Sequence, residues 1–378
     1  MLDPVRQEVI TSAHTVVVKV GTNVLTGADG RLDPGRLEAL TDQIQRLRQS
    51  GRKVALVSSG AIGAGMGRLG LAKRPSDLRH LQACAAIGQS FLMRAYQECL
   101  EKHGTHTAQI LLTAGDFDSR GRYLNVRNTI LTLFEWDVLP IINENDTVSV
   151  AEIKFGDNDH LAAMVTNLLQ APLLILLTVV DGLYGGDPQA DPNARKIDTV
   201  PLIDDSIMDM AGASRSTLGT GGMSSKIRAA RLATAAGESV IIAHGAKAGT
   251  IDAIFAAQPI GTLFLPHGTS IPAWKRWLGF TARPKGRVFL DAGACTAVHK
   301  KGRSLLPIGV IRVQGTFNKG DVVALCDSDG AEFARGLTNY TSADTNRILG
   351  LRTEQIAEVL GALPYEEIVH RDNLVVIV

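Results

Sequence analysis

Two lysines and one carboxylate occupy positions from which they could act together on a phosphoryl group. Lys19 lies near the end of the apolar run TVVVKV, Lys226 ends the glycine-rich stretch GTGGMSSK, and Asp159 belongs to the segment FGDNDHLAA. Such a set, which includes no histidine or serine base, suits the neutralisation of charge on a phosphoryl group passed between two anions. We therefore predict that Lys19 and Lys226 neutralise this charge and that Asp159 holds both lysines in position.

Two turns that contain glycine are candidates for binding an anion. The stretch VSSGAIGAG follows an apolar strand pattern and offers hydroxyls and backbone N–H groups, which can form a nest for an anion. The stretch GTGGMSSK precedes the helical pattern KIRAARLATAAG, and glycines together with a helix N-terminus favour phosphate. Taken alone, the first is also compatible with a tight turn and the second with a disordered glycine loop, so both alternatives stay open at this point.

A third glycine stretch, GMGRLG at 65–70, matches the glycine spacing of dinucleotide-binding folds but lacks the rest of that fingerprint. The fingerprint requires an acidic residue about 20 positions further on, at the end of a second strand. In this chain that region reads LRHLQACAAIGQSF, which is a helical pattern. We therefore predict a mobile loop or the start of a helix here. The P-loop motif G-x-x-x-x-G-K-[ST] is absent from the sequence.

Asp157, Asn158 and Asp159 stand together directly before an apolar, helix-like run. The simplest role for such residues is capping, because Asp and Asn side chains accept hydrogen bonds from the first N–H groups of a helix. Capping by Asp157 or Asn158 is compatible with a second role in ligand binding. The segment therefore predicts both a helix start and a candidate site.

Strand and helix patterns alternate along the chain as far as residue 243. The strand patterns are apolar throughout, which is typical of parallel strands that are covered on both faces. The predicted fold class is therefore α/β, an αβα sandwich around a mainly parallel sheet. Ligands of such sheets bind outside the carboxyl ends of the strands, which is where the candidate residues lie. The predicted strands are 15–20, 54–59, 108–113, 138–143, 173–178 and 239–243, and the predicted helices are 33–50, 78–102, 121–135, 159–170 and 224–236.

The helix predicted at 33–50 carries clear start and stop signals. Asp33 is its predicted N-cap, Pro34 suits the first helical position, and Gly51 ends it. Its apolar residues recur at helical spacing and share one face. These residues are Leu37, Leu40, Ile44 and Leu47.

The sequence changes character near residues 259–286, a stretch rich in Pro and Gly that contains Trp274 and Trp277. Short apolar runs separated by glycines and turn residues follow it, and they predict a small β-rich barrel or sandwich. The predicted boundaries are 1–268 for the α/β domain, 269–284 for a linker, 285–370 for the β-rich domain and 371–378 for a C-terminal strand or tail.

Composition is typical of a globular protein of the cytoplasm. The chain has 378 residues, is 45% hydrophobic, and carries a net charge of +1 with a pI of about 7.7, which does not indicate a nucleic-acid-binding or membrane-surface protein. The four cysteines are scattered, as expected of buried thiols in a reducing compartment. The N-terminus is not a signal peptide, and the longest apolar run, 171–180, reads as a buried strand rather than a membrane span.

Seven motifs, in their order along the chain, resemble those of the amino-acid kinase family. They are VVVKVGTNVLT, VALVSSGAIGAG, RYLNVRNT, PIINENDTVS, FGDNDHLAA, LLTVVDGLY and GTGGMSSK. The resemblance covers about residues 14–265, and residues from about 285 to 370 resemble the PUA domain of many bacterial members. It implies phosphoryl transfer from ATP, with Mg²⁺, to the γ-carboxylate of L-glutamate, which gives L-glutamyl 5-phosphate for L-proline biosynthesis.

The resemblance also implies roles for individual residues. Ser59, Asp146 and Asn158 would bind glutamate, and no metal-ligating residue is implied. The family commonly has Asp where this chain has Val179, which removes a carboxylate from the nucleotide pocket and leaves Asp181 as the acid nearby. The nucleotide-binding residues implied are Lys19, Thr178, Val179, Asp181, Thr220, Gly221, Gly222, Met223, Ser224, Ser225 and Lys226.

The family resemblance further implies partners and leaves alternatives. Proline is the expected feedback inhibitor, a homodimer or homotetramer the expected assembly, and glutamyl phosphate reductase a possible partner. One alternative is a kinase acting on aspartate, N-acetylglutamate or a nucleoside monophosphate. Another is an RNA-binding regulator, because PUA modules bind RNA elsewhere. However, residues 279–378 carry 12 basic and 11 acidic residues, so this region has no broad basic surface and RNA is not the expected ligand.

Overall fold

The computed structural model describes residues 3–27, 30–148, 158–186, 191, 194–213, 222–267, 273–361 and 365–377. The chain forms two compact units, Met1–Ser270 and Ile271–Val378. None of the helices in these described ranges is both long enough and apolar enough to cross a bilayer.

The first unit contains one sheet and its surrounding helices. Its strands are β1 (Thr15–Val20), β2 (Lys53–Ser58), β3 (Thr107–Leu112), β4 (Leu139–Glu144), β5 (Leu173–Thr178), β6 (Thr199–Val200), β7 (Ser239–His244) and β8 (Thr262–Phe264). Its helices are α1 (Pro4–Ser12), α2 (Thr22–Leu25), α3 (Pro34–Gln49), α4 (Ala61–Leu69), α5 (Leu78–Glu101), α6 (Ala114–Asp118), α7 (Arg120–Glu135), α8 (Asn158–Leu169), α9 (Asp205–Ala213), α10 (Met223–Ala235) and α11 (Thr250–Phe255).

The eight strands lie in the order β3-β4-β2-β1-β5-β7-β8-β6. Neighbouring strands are parallel, except that β7 and β8 are antiparallel. Connections that leave β1 lead to one half of the sheet, and those that leave β5 lead to the other half. The adjacent carboxyl ends of β1 and β5 therefore form the point of the sheet where ligands are expected. The predicted mainly parallel α/β sheet is confirmed.

The alternation of side chains along β1 places Lys19 on a defined face of the sheet. Val18 and Val20 belong to a hydrophobic core that also contains Leu40 and Ile44 of α3. Because successive side chains of a strand point to opposite faces, Lys19 points away from that core. The helix that packs on β1 from that side is α8. An otherwise apolar strand thus directs one cation toward a buried helix.

Most of the predicted elements are present, and their caps explain some of their boundaries. Helix α3 begins at Pro34, as predicted, and the Asp33 side chain accepts hydrogen bonds from the N–H groups of Gly35 and Arg36. Helices α1, α2, α6, α9 and α11 and strands β6 and β8 were not predicted, and α4 was predicted only as one of two alternatives for the stretch GMGRLG. They are short or rich in glycine and polar residues, so their hydrophobic periodicity is weak.

Gly65 of the stretch GMGRLG serves helix packing. Gly65 lies inside α4, and a Cβ on it would come within 1.9 Å of the backbone oxygen of Cys84 in α5. Gly88 of α5 faces α4 in the same way, since its Cβ would lie 1.8 Å from the backbone oxygen of Ala61. The two helices therefore pack backbone against backbone, and the stretch is a helix rather than a loop.

The variant Gly88→Ala should destabilise the protein, whereas Gly121→Ala should not. Backbone atoms of α4 block the new methyl group at Gly88, and such overpacking costs about 1–3 kcal/mol. Gly121 lies in α7 with open space around it, where Ala favours the helix by up to ~1 kcal/mol. Urea unfolding followed by circular dichroism measures both effects. Equal midpoints for the two variants would contradict the close approach of α4 and α5.

The second unit is β-rich, as predicted from its short apolar runs. Its elements are α12 (Ala273–Arg276), a π-helical turn (Trp277–Thr281), β9 (Gly286–Leu290), α13 (Ala292–His299), a 3₁₀ turn (Pro307–Gly309), β10 (Val310–Gly315), β11 (Val322–Cys326), β12 (Glu332–Thr338), α14 (Ser342–Arg347), α15 (Thr353–Leu360) and β13 (Val369–Val376). The sheet has the order β10-β9-β11-β12-β13, in which β9 and β11 are parallel and the other pairs antiparallel. The helices α12 to α15 were not predicted.

Candidate active site

The three predicted catalytic side chains meet at one carboxylate. Lys19 Nζ lies 2.6 Å from Asp159 Oδ1, and Lys226 Nζ lies 2.9 Å from Asp159 Oδ2. The Asp159 side chain is 0% exposed and both lysine side chains are 6% exposed. The arrangement is therefore a buried, charged cluster that carries one more positive than negative charge.

The charge of Asp159 depends on the two lysines. Burial alone would raise the pKa of the Asp159 carboxyl, but the neighbouring Lys19 and Lys226 ammonium groups outweigh this and hold that pKa below its ordinary value. Asp159 is thus ionised at neutral pH. Its position in the first turn of α8 also favours a negative charge, because the helix N-terminus carries a partial positive charge.

Three elements bring the charged groups together. Lys19 comes from the central strand β1, Asp159 from the first turn of α8, and Lys226 from the first turn of α10. Helix α8 packs against both β1 and α10, so its N-terminus lies between the two lysines. The layered packing of the unit, rather than any local motif, creates the cluster.

Ser225 contacts the same carboxylate from α10. Its Oγ lies 3.1 Å from Asp159 Oδ2 and 2.8 Å from the backbone oxygen of Gly222. A hydroxyl has one proton, so it donates to one of these acceptors at a time. The structure therefore places this predicted nucleotide-binding residue against the carboxylate that binds both lysines.

Asn158, the residue before Asp159, lies at the centre of a second polar cluster. Its Nδ2 is 2.9 Å from the backbone oxygen of Ser58, 2.9 Å from Ser59 Oγ and 2.8 Å from Asn143 Oδ1. These contacts occupy the N–H groups of the Asn158 amide, so its Oδ1 is the atom suited to accept a hydrogen bond from a ligand. Helix α8 thus presents an amide and a carboxylate side by side.

The predicted substrate-binding residues lie at one edge of the sheet. Ser59 follows β2 and the half-buried Asp146 follows β4, and these strands pair in parallel with Val57 opposite Ile142. Ser59 contacts Asn158 directly. Ser59 and Asp146 therefore lie beyond the carboxyl ends of neighbouring strands, and Asn158 directly precedes Asp159 of the charged cluster.

The predicted nucleotide-binding residues are in part at the same edge. Thr178 ends β5, which pairs with β1, and Val179 directly after it is 46% exposed. Asp181 Oδ1 lies 2.6 Å from Lys247 Nζ in a largely exposed ion pair. The Asp181 carboxylate is therefore engaged by a cation already. Gly222, Met223 and Ser224 are half-buried at the start of α10, whereas Asp157, Thr220 and Gly221 lie outside the described residues.

Sequence reasoning did not identify the polar residues behind this edge. Asn143 Nδ2 donates to Gln89 Oε1 over 2.9 Å, and Tyr96 Oη lies 2.9 Å from Ser58 Oγ. Asn143 lies inside the motif PIINENDTVS, so its place at the end of a strand was a usable signal. Gln89 and Tyr96 belong to the long helix α5, whose sequence shows only which face is apolar. No local pattern shows that the two side chains reach β4 and β2.

Comparisons with known proteins match both units. The model of the amino acid kinase family matches residues 14–244, and that of the PUA domain matches residues 286–360. A protein from Desulfotalea psychrophila named glutamate 5-kinase is 48% identical over 373 residues, covering 98% of this chain and 99% of its own length. One of the same name from Pelobacter propionicus is 46% identical over 372 residues, covering 98% of this chain and 100% of its own length.

Solved structures show the same fold at lower identity. The carbamate kinase from Giardia lamblia bound to AMP-PNP is 19% identical, with a TM-score of 0.50 over 68% of this chain and 100% of that chain. At this identity the likeness concerns the fold of the first unit alone. The match of the family model and the near full-length relatives agree with the order of motifs and with the sheet described above. This chain therefore belongs to the amino acid kinase family, within the group of its members named glutamate 5-kinase.

Proposed function

We propose that this chain catalyses ATP-dependent phosphorylation of the γ-carboxylate of L-glutamate to L-glutamyl 5-phosphate, the first step of L-proline biosynthesis. The observation that carries the proposal is the contact of Lys19 and Lys226 with the two oxygens of buried Asp159. This cluster lies at the carboxyl edge of a parallel sheet, where its positive charge can meet two anionic substrates. The relatives named glutamate 5-kinase, at 46–48% identity, support the choice of acceptor.

The residue types fit the difficulty of the reaction. The γ-carboxyl group of glutamate has an ordinary pKa of ~4.3, so it is already ionised and needs no general base. The difficulty is repulsion, since two unit charges ~4 Å apart repel by roughly 4 kcal/mol at an effective dielectric constant of 20. Two ammonium groups at the point of transfer offset this repulsion and stabilise charge on the moving phosphoryl group. Asp159 keeps both groups at that point.

The polar cluster around Asn158 is the proposed binding site of glutamate. Asn158 and Ser59 would hold the substrate by hydrogen bonds, and Asp146 would pair with its α-amino group. Because Asn158 precedes Asp159 in the same helical turn, the substrate would be held directly beside the charged cluster. This adjacency supports a position of the acceptor oxygen next to the lysines.

The nucleotide is proposed to lie on the side of β5 and α10, with Thr178 and Val179 near it and the first turn of α10 facing its phosphates. Magnesium would enter with ATP, because Mg²⁺ binds phosphate oxygens and keeps several of its waters. Its charge would add to that of the lysines. In the described part of the chain no group of three His, Cys, Asp or Glu side chains is placed to hold a metal ion, so we assign no protein ligand to it.

Further features of the proposal rest on the family likeness. We propose feedback inhibition by proline, a homodimer or homotetramer, and delivery of the labile acyl phosphate to glutamyl phosphate reductase. Cys84, Cys99, Cys295 and Cys326 are free thiols, which supports a reducing compartment such as the cytoplasm. The second unit would serve regulation or assembly, since its balanced charge does not favour RNA.

Purified protein should form ADP with Mg-ATP and L-glutamate, and at least about tenfold more slowly with aspartate, N-acetylglutamate or UMP. Glutamate presents a free α-amino group for Asp146 and a side chain long enough to reach the lysines, and each alternative lacks at least one of these features. A coupled assay of ADP release across the four acceptors measures the ratio. Turnover with one of the others and none with glutamate would assign the chain a different acceptor.

A further inference from the structure

Helix α5 contacts the sheet next to the proposed glutamate site through two buried hydroxyl groups joined by a hydrogen bond. Tyr96 Oη lies 2.9 Å from Ser58 Oγ, and Ser58 Oγ donates to the backbone oxygen of Ser59 over 3.1 Å. Both Tyr96 and Ser58 are 0% exposed. Since Ser58 donates its single hydroxyl proton to the backbone oxygen of Ser59, the Tyr96 hydroxyl is the donor to Ser58. The chain of hydrogen bonds therefore runs from Tyr96 through Ser58 to the peptide that follows β2.

This chain fixes the orientation of one peptide group. A trans peptide is planar, and its C=O and N–H bonds point in opposite directions. With the Ser59 carbonyl held toward the buried Ser58 hydroxyl, the N–H of Gly60 points the other way. Gly60 has φ of +108° and is the N-cap residue of α4, whose N-terminus receives no side-chain capping hydrogen bond. The first N–H groups of α4 are thus presented in one direction, which suits an anion.

A second contact ties the same turn to the proposed glutamate site. Asn158 Nδ2 lies 2.9 Å from both the Ser58 backbone oxygen and Ser59 Oγ. The position of the turn therefore determines where Ser59 and Asn158 stand relative to each other. Lys19, Asp159 and Lys226 are held by separate contacts among themselves. A change at Tyr96 or Ser58 is therefore expected to alter the binding of the acceptor more than the positions of the lysines.

Resting on the proposed function, we propose that Tyr96 is a positioning residue for the carboxylate acceptor. Acting through Ser58, it orients the turn Ser59–Gly60 and so sets the affinity for the acceptor but not for the nucleotide. Burial raises the pKa of Tyr96 above its ordinary value, so its hydroxyl keeps its proton and remains a donor at working pH.

The test compares Tyr96→Phe, Ser58→Ala and the double variant with wild type. Each single change should raise KM for glutamate about 5- to 10-fold while KM for ATP stays within about twofold. Because both changes break one chain of hydrogen bonds, the double variant should be no worse than the worse single variant. Tyr340→Phe is the matched control, since this buried tyrosine also donates its hydroxyl, to the Tyr365 backbone oxygen, but lies in the second unit.

Two results overturn the inference. One is a KM for glutamate within about twofold of wild type in Tyr96→Phe. The other is an equal rise of both KM values together with a lowered urea midpoint, which would reduce Tyr96 to a stabilising role. If wild type showed no glutamate turnover, the proposed function itself would fail and the inference with it. If wild type turns over glutamate and Tyr96→Phe has an unchanged KM for glutamate, the inference on Tyr96 is rejected and the proposed function is not.

Discussion

Replacing Lys226 by Ala is expected to lower kcat for glutamate-dependent ADP formation by about 10³-fold, with little change in KM for glutamate. Lys226 Nζ is one of two ammonium groups at Asp159, and it stands in the first turn of the helix proposed to face the phosphates. Its charge matters most when negative charge spreads over the moving phosphoryl group. Its loss should therefore appear in the chemical step, measured by single-turnover kinetics at saturating substrates.

The matched control is Lys102→Ala. Lys102 also forms an ion pair, with Glu38, but its side chain is 59% exposed and it lies at the C-terminal end of α5. Such surface pairs contribute little, so activity and stability should stay close to wild type. Circular dichroism and the urea midpoint of Lys226→Ala show whether the variant is folded when it is assayed. A folded Lys226→Ala enzyme with kcat within about threefold of wild type would contradict the proposed role.

The fold of the first unit was largely predictable because its signals are local. Unbroken apolar runs such as the one ending at Lys19 indicate strands buried on both faces, and Asp33 with Pro34 marks the start of α3. The antiparallel β8 was not predictable in this way. It is three residues long, and its pairing with β7 depends on the packing of the far end of the sheet rather than on its own sequence.

The candidate site was predictable where its residues directly follow strands or open helices. Ser59 and Asp146 belong to the first kind and Asp159 and Lys226 to the second, whereas Lys19 lies within β1, one residue before its end. Ser225 was assigned from the family likeness to the nucleotide, whereas the structure shows its hydroxyl at Asp159. The support provided by Tyr96 was not predictable, because a polar side chain inside a long helix gives no sign of its partner across 38 positions of sequence.

The second large effect is expected for Asp159→Asn. The change removes the negative charge that Lys19 and Lys226 share, and it leaves the two buried ammonium groups next to a neutral amide. Removing one partner from a buried ion pair costs about 3–5 kcal/mol. The free energy of unfolding should fall by about this amount at neutral pH, and kcat should fall as well because the lysines lose their anchor.

The effect of Asp159→Asn should also depend on pH in a definite direction. In the folded protein the pKa of Asp159 lies below its ordinary value. Its charge therefore adds stability that is present above the unfolded pKa of about 3.9 and is lost as the pH falls through the lower folded value. The difference in unfolding free energy between wild type and variant should be largest near neutral pH and shrink below about pH 4. Urea titrations at several pH values measure it, and a constant difference would contradict the charged role.

A triple variant separates stability from catalysis. In Lys19→Met, Asp159→Leu, Lys226→Met the charged cluster is replaced by apolar side chains of similar volume, which in buried sites is often neutral or stabilising. The variant should therefore recover most of the stability lost in Asp159→Asn and yet show no measurable kinase activity. This outcome would mean that the cluster exists for phosphoryl transfer and not for folding. A triple variant as unstable as Asp159→Asn would instead mean that the packing around α8 requires these charges.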